Sequence, residues 1–235
     1  MQKIPVSVIS TGIKKTILNY LNITESDNFH VITNGCYTSI IHSLDKINIR
    51  DRFKINKNCK IAVCVGNITK NKNQVQIVRA YSILHEKVKN GLVIMFIGKD
   101  VTNGLFEQVI KESGNKENLI ICGNIPKDHL SDYYKQASFN IVASISEGFG
   151  LSIIEGFSHG LPTLTFSNLD AVQDLYHAKA MCLVNERTDE AFAKGIEQIL
   201  LMDWDKQFIQ NYAENFSLAK MSLDYINLYE RVINE

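Results

Sequence analysis

Short, uninterrupted apolar runs alternate with amphipathic segments along the chain from about residue 60 onward. A continuous apolar run is typical of a strand that is buried on both faces, and apolar residues at a spacing of three and four are typical of a helix. The pattern predicts strands at KIAVCVG (60–66), LVIMFIG (92–98), NLIICG (118–123), FNIVAS (139–144), LPTLTF (161–166) and AMCLV (180–184), and helices over 72–89, 105–113, 127–136, 150–159 and 189–201.

This order of elements predicts an α/β fold with a doubly wound, Rossmann-like parallel sheet. Helices that alternate with buried strands must cover both faces of such a sheet. Ligands of these sheets bind beyond the carboxyl ends of the strands. We therefore look for chemistry in the loops that follow the predicted strands.

The two ends of the chain follow a different pattern. Residues 1–34 predict a strand at VSVIS (6–10), a helix over 13–21 and a strand at HVITN (30–34), which is too little for an independent domain. Residues 203–235 predict helices. The last of them carries an apolar stripe that we expect to pack on its own domain or on a partner domain, formed by Met221, Leu223, Tyr225, Ile226, Leu228, Tyr229 and Ile233.

Composition excludes several classes of protein. Lys plus Arg and Asp plus Glu both number 25, so a broad electrostatic hold on nucleic acid is not expected. The five cysteines and six histidines show no zinc-binding spacing, so we expect reduced thiols and no metal site. We find no signal peptide and no bilayer-spanning run, which favours a cytoplasmic protein, with peripheral contact at the inner face of the membrane left open.

The loop VGNITKNKNQ (65–74) is the first segment with candidate chemistry. Gly66 allows a sharp turn at the end of a strand, and Lys70 and Lys72 stand next to a predicted helix N-terminus. Lysine charge and free backbone amides together suit a phosphate group. The alternative is an ordinary solvated lysine-rich loop.

The segment SISEGFGLSIIEGFSHG (144–160) carries more information. A strand runs into a turn with Glu147, Gly148 and Gly150, where glycines expose backbone amides to a ligand. Glu155 follows on the helix, where a carboxylate could accept hydrogen bonds from vicinal hydroxyls such as those of a ribose. The alternative is a capping Glu147 and a solvated Glu155.

These motifs resemble those of the retaining GT-B glycosyltransferases of the family-4 type (glycosyl transferases group 1). Glu147 and Glu155 match the two glutamates of the family, EGFGLSIIEG and GLPT (160–163) are close to its pattern, and Gly66 and Lys72 match its glycine and lysine. Asn67 stands where the family usually has an arginine that helps to hold the diphosphate. The resemblance makes the chain one half of a GT-B fold with a C-terminal helical tail.

The resemblance implies a role for each candidate residue. Lys72 and Glu147 would act in catalysis, with Lys72 at the diphosphate and Glu147 at the sugar hydroxyls. The loop GNIP (123–126) would contact the nucleobase, and Glu155 would bind the ribose hydroxyls. The implied donor-binding residues are Gly66, Asn67, Asn124, Ile125, Gly148, Phe149, Gly150, Leu151, Glu155 and Asp174, the last from FSNLDAVQDL (166–175).

The implied activity is a hexosyltransferase that moves a sugar from a UDP- or GDP-sugar to a carbohydrate or lipid-linked acceptor. It would act without a metal or other cofactor, in surface or capsular polysaccharide synthesis. Residues 1–34 would then be the end of an acceptor-binding domain with its linker, residues 35–202 the nucleotide-sugar-binding domain, and residues 203–235 helices that pack on a missing or partner domain. A separate N-terminal domain protein or a second copy of the chain are the implied partners.

Two other functions stay open at this point. One is a non-catalytic nucleotide-sugar-binding half that needs a separate acceptor-binding domain, which Asn67 and the short N-terminal segment favour. The other is a sugar-nucleotide epimerase on the same fold. An NAD-dependent oxidoreductase is excluded because no GxGxxG follows the KIAVCV strand, and Ser144 and Ser146 lack the GxSxG context of a hydrolase.

Overall fold

The computed structural model describes residues 4–24, 28–38 and 46–234. Its centre is a six-stranded sheet in which every pair of neighbouring strands is parallel. All six strands predicted from the apolar runs are present. They are β3 (Lys60–Val65), β4 (Leu92–Ile97), β5 (Leu119–Gly123), β6 (Phe139–Val142), β7 (Thr163–Phe166) and β8 (Met181–Val184).

The strands lie in the order β5-β4-β3-β6-β7-β8, which is the doubly wound, Rossmann-like order. The chain steps outward from β3 in one direction and then returns to start again at β6 on its other side. This reversal leaves a crevice at the carboxyl edge of the sheet, beside the loops that follow β3 and β6. Both segments that carry candidate chemistry in the sequence lie in these two loops.

Helices cover both faces of the sheet, as predicted. One predicted helix was wrong in its extent: residues 72–89 form two helices, because the chain breaks at 83–85 and the His85 side chain caps the second one. The helices are α1 (Thr11–Tyr20), α2 (Ile49–Arg52), α3 (Gln74–Ser82), α4 (Glu86–Lys89), α5 (Leu105–Glu112), α6 (Lys127–Gln136), α7 (Leu151–Ser158), α8 (Val172–Leu175), α9 (Asp189–Leu201), α10 (Lys206–Ala213) and α11 (Leu218–Asn234).

The core has two layers, one on each face of the sheet. On β3, Ala62 and Cys64 pack with α3, α5 and α9, whereas Ile61 and Val63 pack on the other face with α2 and α6. This alternation follows from the period of two along a strand. Close packing of α7 depends on Gly156, because a Cβ there would lie 3.1 Å from Nδ2 of the buried Asn140 on β6.

The N-terminal segment forms a small unit of its own. Strands β1 (Val6–Val8) and β2 (Phe29–Val31) form a separate two-stranded parallel sheet, and α1 connects them. The unit docks on α8, where the carboxylate of Asp174 accepts hydrogen bonds from the backbone N–H of Thr11 at 2.8 Å and from its hydroxyl at 2.5 Å. Asp174 thereby stabilises the N-terminus of α1.

The C-terminal tail is helical, with α10, a single 3-10 turn (Glu214–Phe216) and α11. Of the apolar stripe on α11, Leu228 is buried, whereas Leu223, Ile226, Tyr229 and Ile233 are exposed. Most of the stripe is therefore not packed on the described part of the chain. No helix in the described ranges is long and apolar enough to cross a bilayer.

Candidate functional site

Hydrogen bonds hold the loops that follow β3 and β6 against each other. The backbone N–H of Ile145 donates to the carbonyl of Asn71 at 2.7 Å, and the Asn71 side chain donates to the carbonyl of Ser146 at 3.0 Å. The Asn73 side chain adds a longer bond to the carbonyl of Ala143, at 3.4 Å. The two loops therefore form one wall of the crevice at the carboxyl edge of the sheet.

An ion pair joins Lys72 to Glu147 across these two loops. Nζ of Lys72 contacts Oε1 of Glu147, and the hydroxyl of Ser144 donates to the same oxygen at 2.7 Å. The Lys72 side chain is 30% exposed and that of Glu147 is 11% exposed. The lysine side chain is thus partly accessible, while the glutamate side chain that holds its ammonium group is more deeply buried.

Two glycines let the turns after β3 and β4 approach closely. Gly66 has φ +141°, and a Cβ there would lie 3.6 Å from Cε of Lys72, so the lysine side chain runs across this glycine. Gly98 has φ +148°, and a Cβ there would lie 2.2 Å from the carbonyl oxygen of Gly66. A side chain at position 98 would displace the turn that carries Lys72.

The turn after β6 leads directly into the N-terminus of α7. Gly150 adopts φ +88°, which favours glycine, and in the described structure no side chain caps α7. Phe149 is buried with its ring against Phe216, at 6.2 Å between centroids, so only its backbone can face a ligand. The first amides of α7 at Leu151 and Ser152 suit an anion, since they carry the positive end of the helix dipole.

Glu155 lies in the second turn of α7 and lines a cavity of about 200 Å³. The hydroxyl of Tyr134 donates to Oε2 of Glu155 at 3.1 Å. Burial raises the pKa of the Glu155 carboxyl, and the Tyr134 hydrogen bond and the charge of Lys127 oppose this shift. The cavity is lined by Gly35, Cys36, Tyr37, Lys127, Leu130, Ser131, Tyr134, Leu151, Glu155, Ser158, His159 and Leu218.

The first turn of α7 connects the two acidic positions. Leu151 lines the cavity of Glu155, and the next residue, Ser152, lines a small pocket with Lys72 and Glu147. The structure thus brings Lys72 and Glu147 into contact and places Glu155 further along the helix that begins beside them. Glu155 is half-buried and hydrogen-bonded to Tyr134, and it is not a fully solvated side chain.

A comparison with models of protein families shows to which family the chain belongs. Residues 45–216 match the model of the family described as glycosyl transferases group 1. The chain belongs to this family. Within the match lie both glutamates, Lys72 and the reversal of strand order between β3 and β6.

Curated relatives in this glycosyltransferase family are distant and longer. An uncharacterized glycosyltransferase of Methanocaldococcus jannaschii is 24% identical over 235 residues, which cover 96% of this chain and 59% of the relative. The O-antigen biosynthesis glycosyltransferase WclY of Escherichia coli is 22% identical over 230 residues, which cover 95% of this chain and 61% of the relative. The chain therefore spans about three fifths of the length of these relatives.

Solved structures share the fold. A glycosyltransferase from Rickettsia africae superposes with a TM-score of 0.84 at 20% identity, over 98% of this chain and 64% of that one. The Anabaena protein HepE, solved in complex with UDP and glucose, superposes with a TM-score of 0.76 at 14% identity, over 97% of this chain and 63% of its own. Likeness at this level of identity supports the GT-B type of fold.

Asn67 is the residue that the family resemblance places at an arginine position. Its side-chain oxygen accepts a hydrogen bond from the backbone N–H of Lys99 at 3.3 Å, and its carbonyl accepts one from the Gln74 side chain at 3.1 Å. The residue is exposed and neutral, and it joins the turn after β3 to the turn after β4. It supplies no positive charge to a diphosphate.

The remaining predicted donor-binding residues lie in two places. Asn124 is exposed and Ile125 is half-buried, in the loop between β5 and α6, and Gly148 lies beside Ile9 of the N-terminal unit. Asp174 bonds to Thr11 in that same unit, and the structure shows no bond from it to Lys72 or Glu147 among the described residues. The donor-binding roles of these four residues, like those of the other predicted site residues, stay predictions.

Sequence reasoning missed two residues that support the site. The guanidinium of Arg187 donates to the carbonyls of Ser144 at 3.0 Å and Ile145 at 3.4 Å, and it lies 4.2 Å from the ring centroid of Phe166. Burial lowers the pKa of Arg187 from its ordinary value. The second missed residue is Tyr134, behind Glu155. Neither stands in a motif, and the contacts of Arg187 join segments that are far apart in the sequence.

Proposed function

We propose that this chain binds the nucleoside diphosphate of a sugar nucleotide and takes part in transfer of the sugar to an acceptor. The observation that carries the proposal is the contact between Lys72 and Glu147 at the switch point of the sheet, beside the N-terminus of α7, the helix that carries Glu155 in its second turn. A cation lies in one pocket and a half-buried carboxylate lines a neighbouring cavity, and the first turn of α7, with its uncapped amides, lines both. The cation and the amides suit a diphosphate, and the carboxylate suits the ribose next to it.

In this mechanism, Lys72 and the first amides of α7 stabilise the negative charge that develops on the leaving diphosphate. Such donors act strongly because they are already oriented before the reaction and are partly shielded from water. Glu147, held by Ser144, would accept hydrogen bonds from the sugar hydroxyls. Glu155 would do the same for the ribose. Retention of the anomeric configuration and a hexose as the transferred sugar are parts of the proposal that follow from the family resemblance.

The names of two relatives support the proposed substrate class. WclY acts in O-antigen biosynthesis, and HepE was solved with UDP and glucose. We therefore propose a UDP- or GDP-sugar as donor and a carbohydrate or lipid-linked acceptor, in the synthesis of a surface polysaccharide. The acceptor would bind outside the described donor site, on a preceding domain, a separate protein or a second copy of the chain.

Asn67 supports a second candidate function, that of a nucleotide-sugar-binding half without catalysis of its own. The neutral side chain lies at the position of the usual arginine and is engaged with the neighbouring turn. One cation fewer lowers the stabilisation of the leaving diphosphate. A donor hydrolysis assay of the wild type separates the two candidates: a transferase turns the donor over, whereas a non-catalytic chain binds it without hydrolysis. If the missing cation is the cause of inactivity, Asn67→Arg should create turnover that the wild type lacks.

Nucleotide binding tests the proposal directly. Isothermal titration with UDP, GDP and ADP compares the wild type with Lys72→Ala, and with Lys70→Ala as a control, because Lys70 is exposed on the same loop. Loss of Lys72 should weaken the affinity of the best nucleotide by about 10- to 10²-fold, the worth of one hydrogen bond between charged groups, whereas loss of Lys70 should change that affinity little. Equal affinity for wild type and Lys72→Ala would remove Lys72 from the site.

A further inference from the structure

Tyr134 lies on α6, directly behind Glu155. The side chain is 1% exposed, and its hydroxyl donates to Oε2 of Glu155 at 3.1 Å. Its ring stacks on the imidazole of His159, with 5.0 Å between centroids and 21° between planes. A buried tyrosine is therefore held on one side by a ring and directed on the other at the carboxylate that lines the cavity.

The imidazole of His159 is itself fixed. Nδ1 lies 2.8 Å from the carbonyl oxygen of Glu155, and Nε2 lies 2.9 Å from the hydroxyl of Ser131. A carbonyl oxygen only accepts, so Nδ1 carries a proton. Burial lowers the pKa of His159, so the ring is neutral and Nε2 accepts from Ser131. Bonds to both ring nitrogens prevent rotation, which keeps the face of the ring against Tyr134.

The carboxylate of Glu155 has few other groups near it. Tyr134 and Lys127 face it from α6, Cys36 faces it from the segment after β2, and His159 contacts its backbone carbonyl. Burial raises the pKa of the Cys36 thiol to about 12, so that group is uncharged. An ionised carboxylate has about four lone-pair positions, and Tyr134 occupies one of them. The others remain for a ligand in the cavity.

We propose that Tyr134 is a positioning residue: it presets the orientation of the Glu155 carboxylate so that this group accepts hydrogen bonds from the ribose hydroxyls of the nucleotide. This inference rests on the proposed function, because it takes a nucleoside diphosphate as the ligand. The cost of orienting the carboxylate is then met by folding and not by binding. The hydroxyl acts through Glu155, to which it donates its hydrogen bond.

The test is Tyr134→Phe, which removes the hydroxyl and keeps the stacked ring. The matched control is Tyr133→Phe on the next residue, because Tyr133 is equally buried and its hydroxyl has no hydrogen-bond partner in the described structure. Isothermal titration measures UDP, GDP and ADP, together with the 2′-deoxy and 3′-deoxy forms of the one that binds best. Circular dichroism and thermal melting show that each variant is folded.

We expect Tyr134→Phe to weaken the best ribonucleotide by about fivefold, the worth of one ordinary hydrogen bond. The affinity of the deoxy forms should fall by less, so the ratio between ribonucleotide and deoxynucleotide affinity becomes smaller. The Tyr134 bond lowers the pKa of Glu155, so its removal should shift the loss of ribonucleotide affinity on acidification to a higher pH. The phosphate of the nucleotide titrates in the same way with every variant, so its effect cancels when the pH profiles of two variants are compared. Tyr133→Phe should match the wild type in all three measurements.

The outcomes separate this inference from the proposed function. Binding of no nucleoside diphosphate by the wild type overturns the proposed function. If Tyr134→Phe has the same affinity, ribose preference and pH profile as the wild type, the positioning role is overturned and the proposed function is not affected. If Tyr134→Phe does not fold, wild-type protein labelled with fluorotyrosine decides: the Tyr134 fluorine resonance must shift with the ribonucleotide more than with its deoxy forms, and equal shifts overturn the inference.

Discussion

Nζ of Lys72 and Oε1 of Glu147 form an ion pair although they lie 75 positions apart in the sequence. The pair bridges the loops after β3 and β6, the two strands between which the order of the sheet reverses. Its formation means that the lysine is already oriented and charged before an anion arrives. The carboxylate is held in turn by Ser144. The pair holds the ammonium group in place, as the proposed diphosphate site requires.

Stability should reveal this coupling. Lys72→Met leaves Glu147 11% exposed with Ser144 as its remaining hydrogen-bond donor, so we expect a loss of about 1–3 kcal/mol in the free energy of unfolding. The double variant Lys72→Met/Glu147→Gln removes the unpaired charge and should recover most of that loss. Urea unfolding measures all three proteins. A double variant as unstable as Lys72→Met would contradict the coupling.

Glu155→Gln should stabilise the free protein at neutral pH, by about 0.5–2 kcal/mol. Burial raises the pKa of Glu155 above its unfolded value, so folding favours the protonated form. The stability that protonation contributes is present at acidic pH and is lost as pH rises through the folded-state pKa. Glutamine does not ionise, so the variant avoids this loss. The difference in stability between Glu155→Gln and the wild type should be largest near neutral pH and should decrease on acidification.

Thermal melting across pH checks this, with Glu117→Gln on an exposed turn as the control. The same Glu155→Gln protein should bind nucleoside diphosphates more weakly, since an amide accepts hydrogen bonds from hydroxyls less strongly than a carboxylate. A Glu155→Gln protein that is less stable than the wild type at neutral pH would argue that the carboxylate contributes to folding and not to binding.

Gly98→Ala should destabilise the chain by about 3 kcal/mol or more, because its Cβ would meet the Gly66 carbonyl oxygen at 2.2 Å. Gly104 provides the control: it also has a positive φ, +86°, but a Cβ there meets nothing within 4 Å. Gly104→Ala should therefore cost only about 1 kcal/mol of backbone strain. Urea unfolding that gives equal losses for both variants would contradict the close approach of the two turns.

Arg187→Lys should loosen the loop that carries Glu147. A lysine ammonium cannot reproduce the planar set of bonds to Ser144 and Ile145 or the stacking on Phe166, so we expect a loss of about 1–2 kcal/mol in stability. Nucleoside diphosphate affinity should fall with it. Arg79→Lys, at an exposed position of α3, is the control. Unchanged affinity in Arg187→Lys would limit Arg187 to a role in folding.

Much of the fold could be predicted because its signals are local. A run such as KIAVCV or LVIMFI is stable only where both faces are covered, so β3 and β4 and their parallel arrangement follow from the sequence. The apolar pattern predicted one continuous helix through residues 83–85, and this was wrong because His85 caps a new helix there. It also missed the short helices α2 and α8, which are below the length that periodicity can detect.

The sequence by itself determined the class of the fold, the glycine turns at the strand ends and the residue types available for an anion and a sugar. Those features depend on the spacing of residues along the chain, because hydrophobic burial and backbone sterics act on residues that are close in the sequence. Only the tertiary structure decided that Lys72 meets Glu147, that Arg187 holds the Glu147 loop and that Tyr134 lies behind Glu155. These contacts depend on the order of the strands and on the packing of helices across them, and no local pattern encodes either.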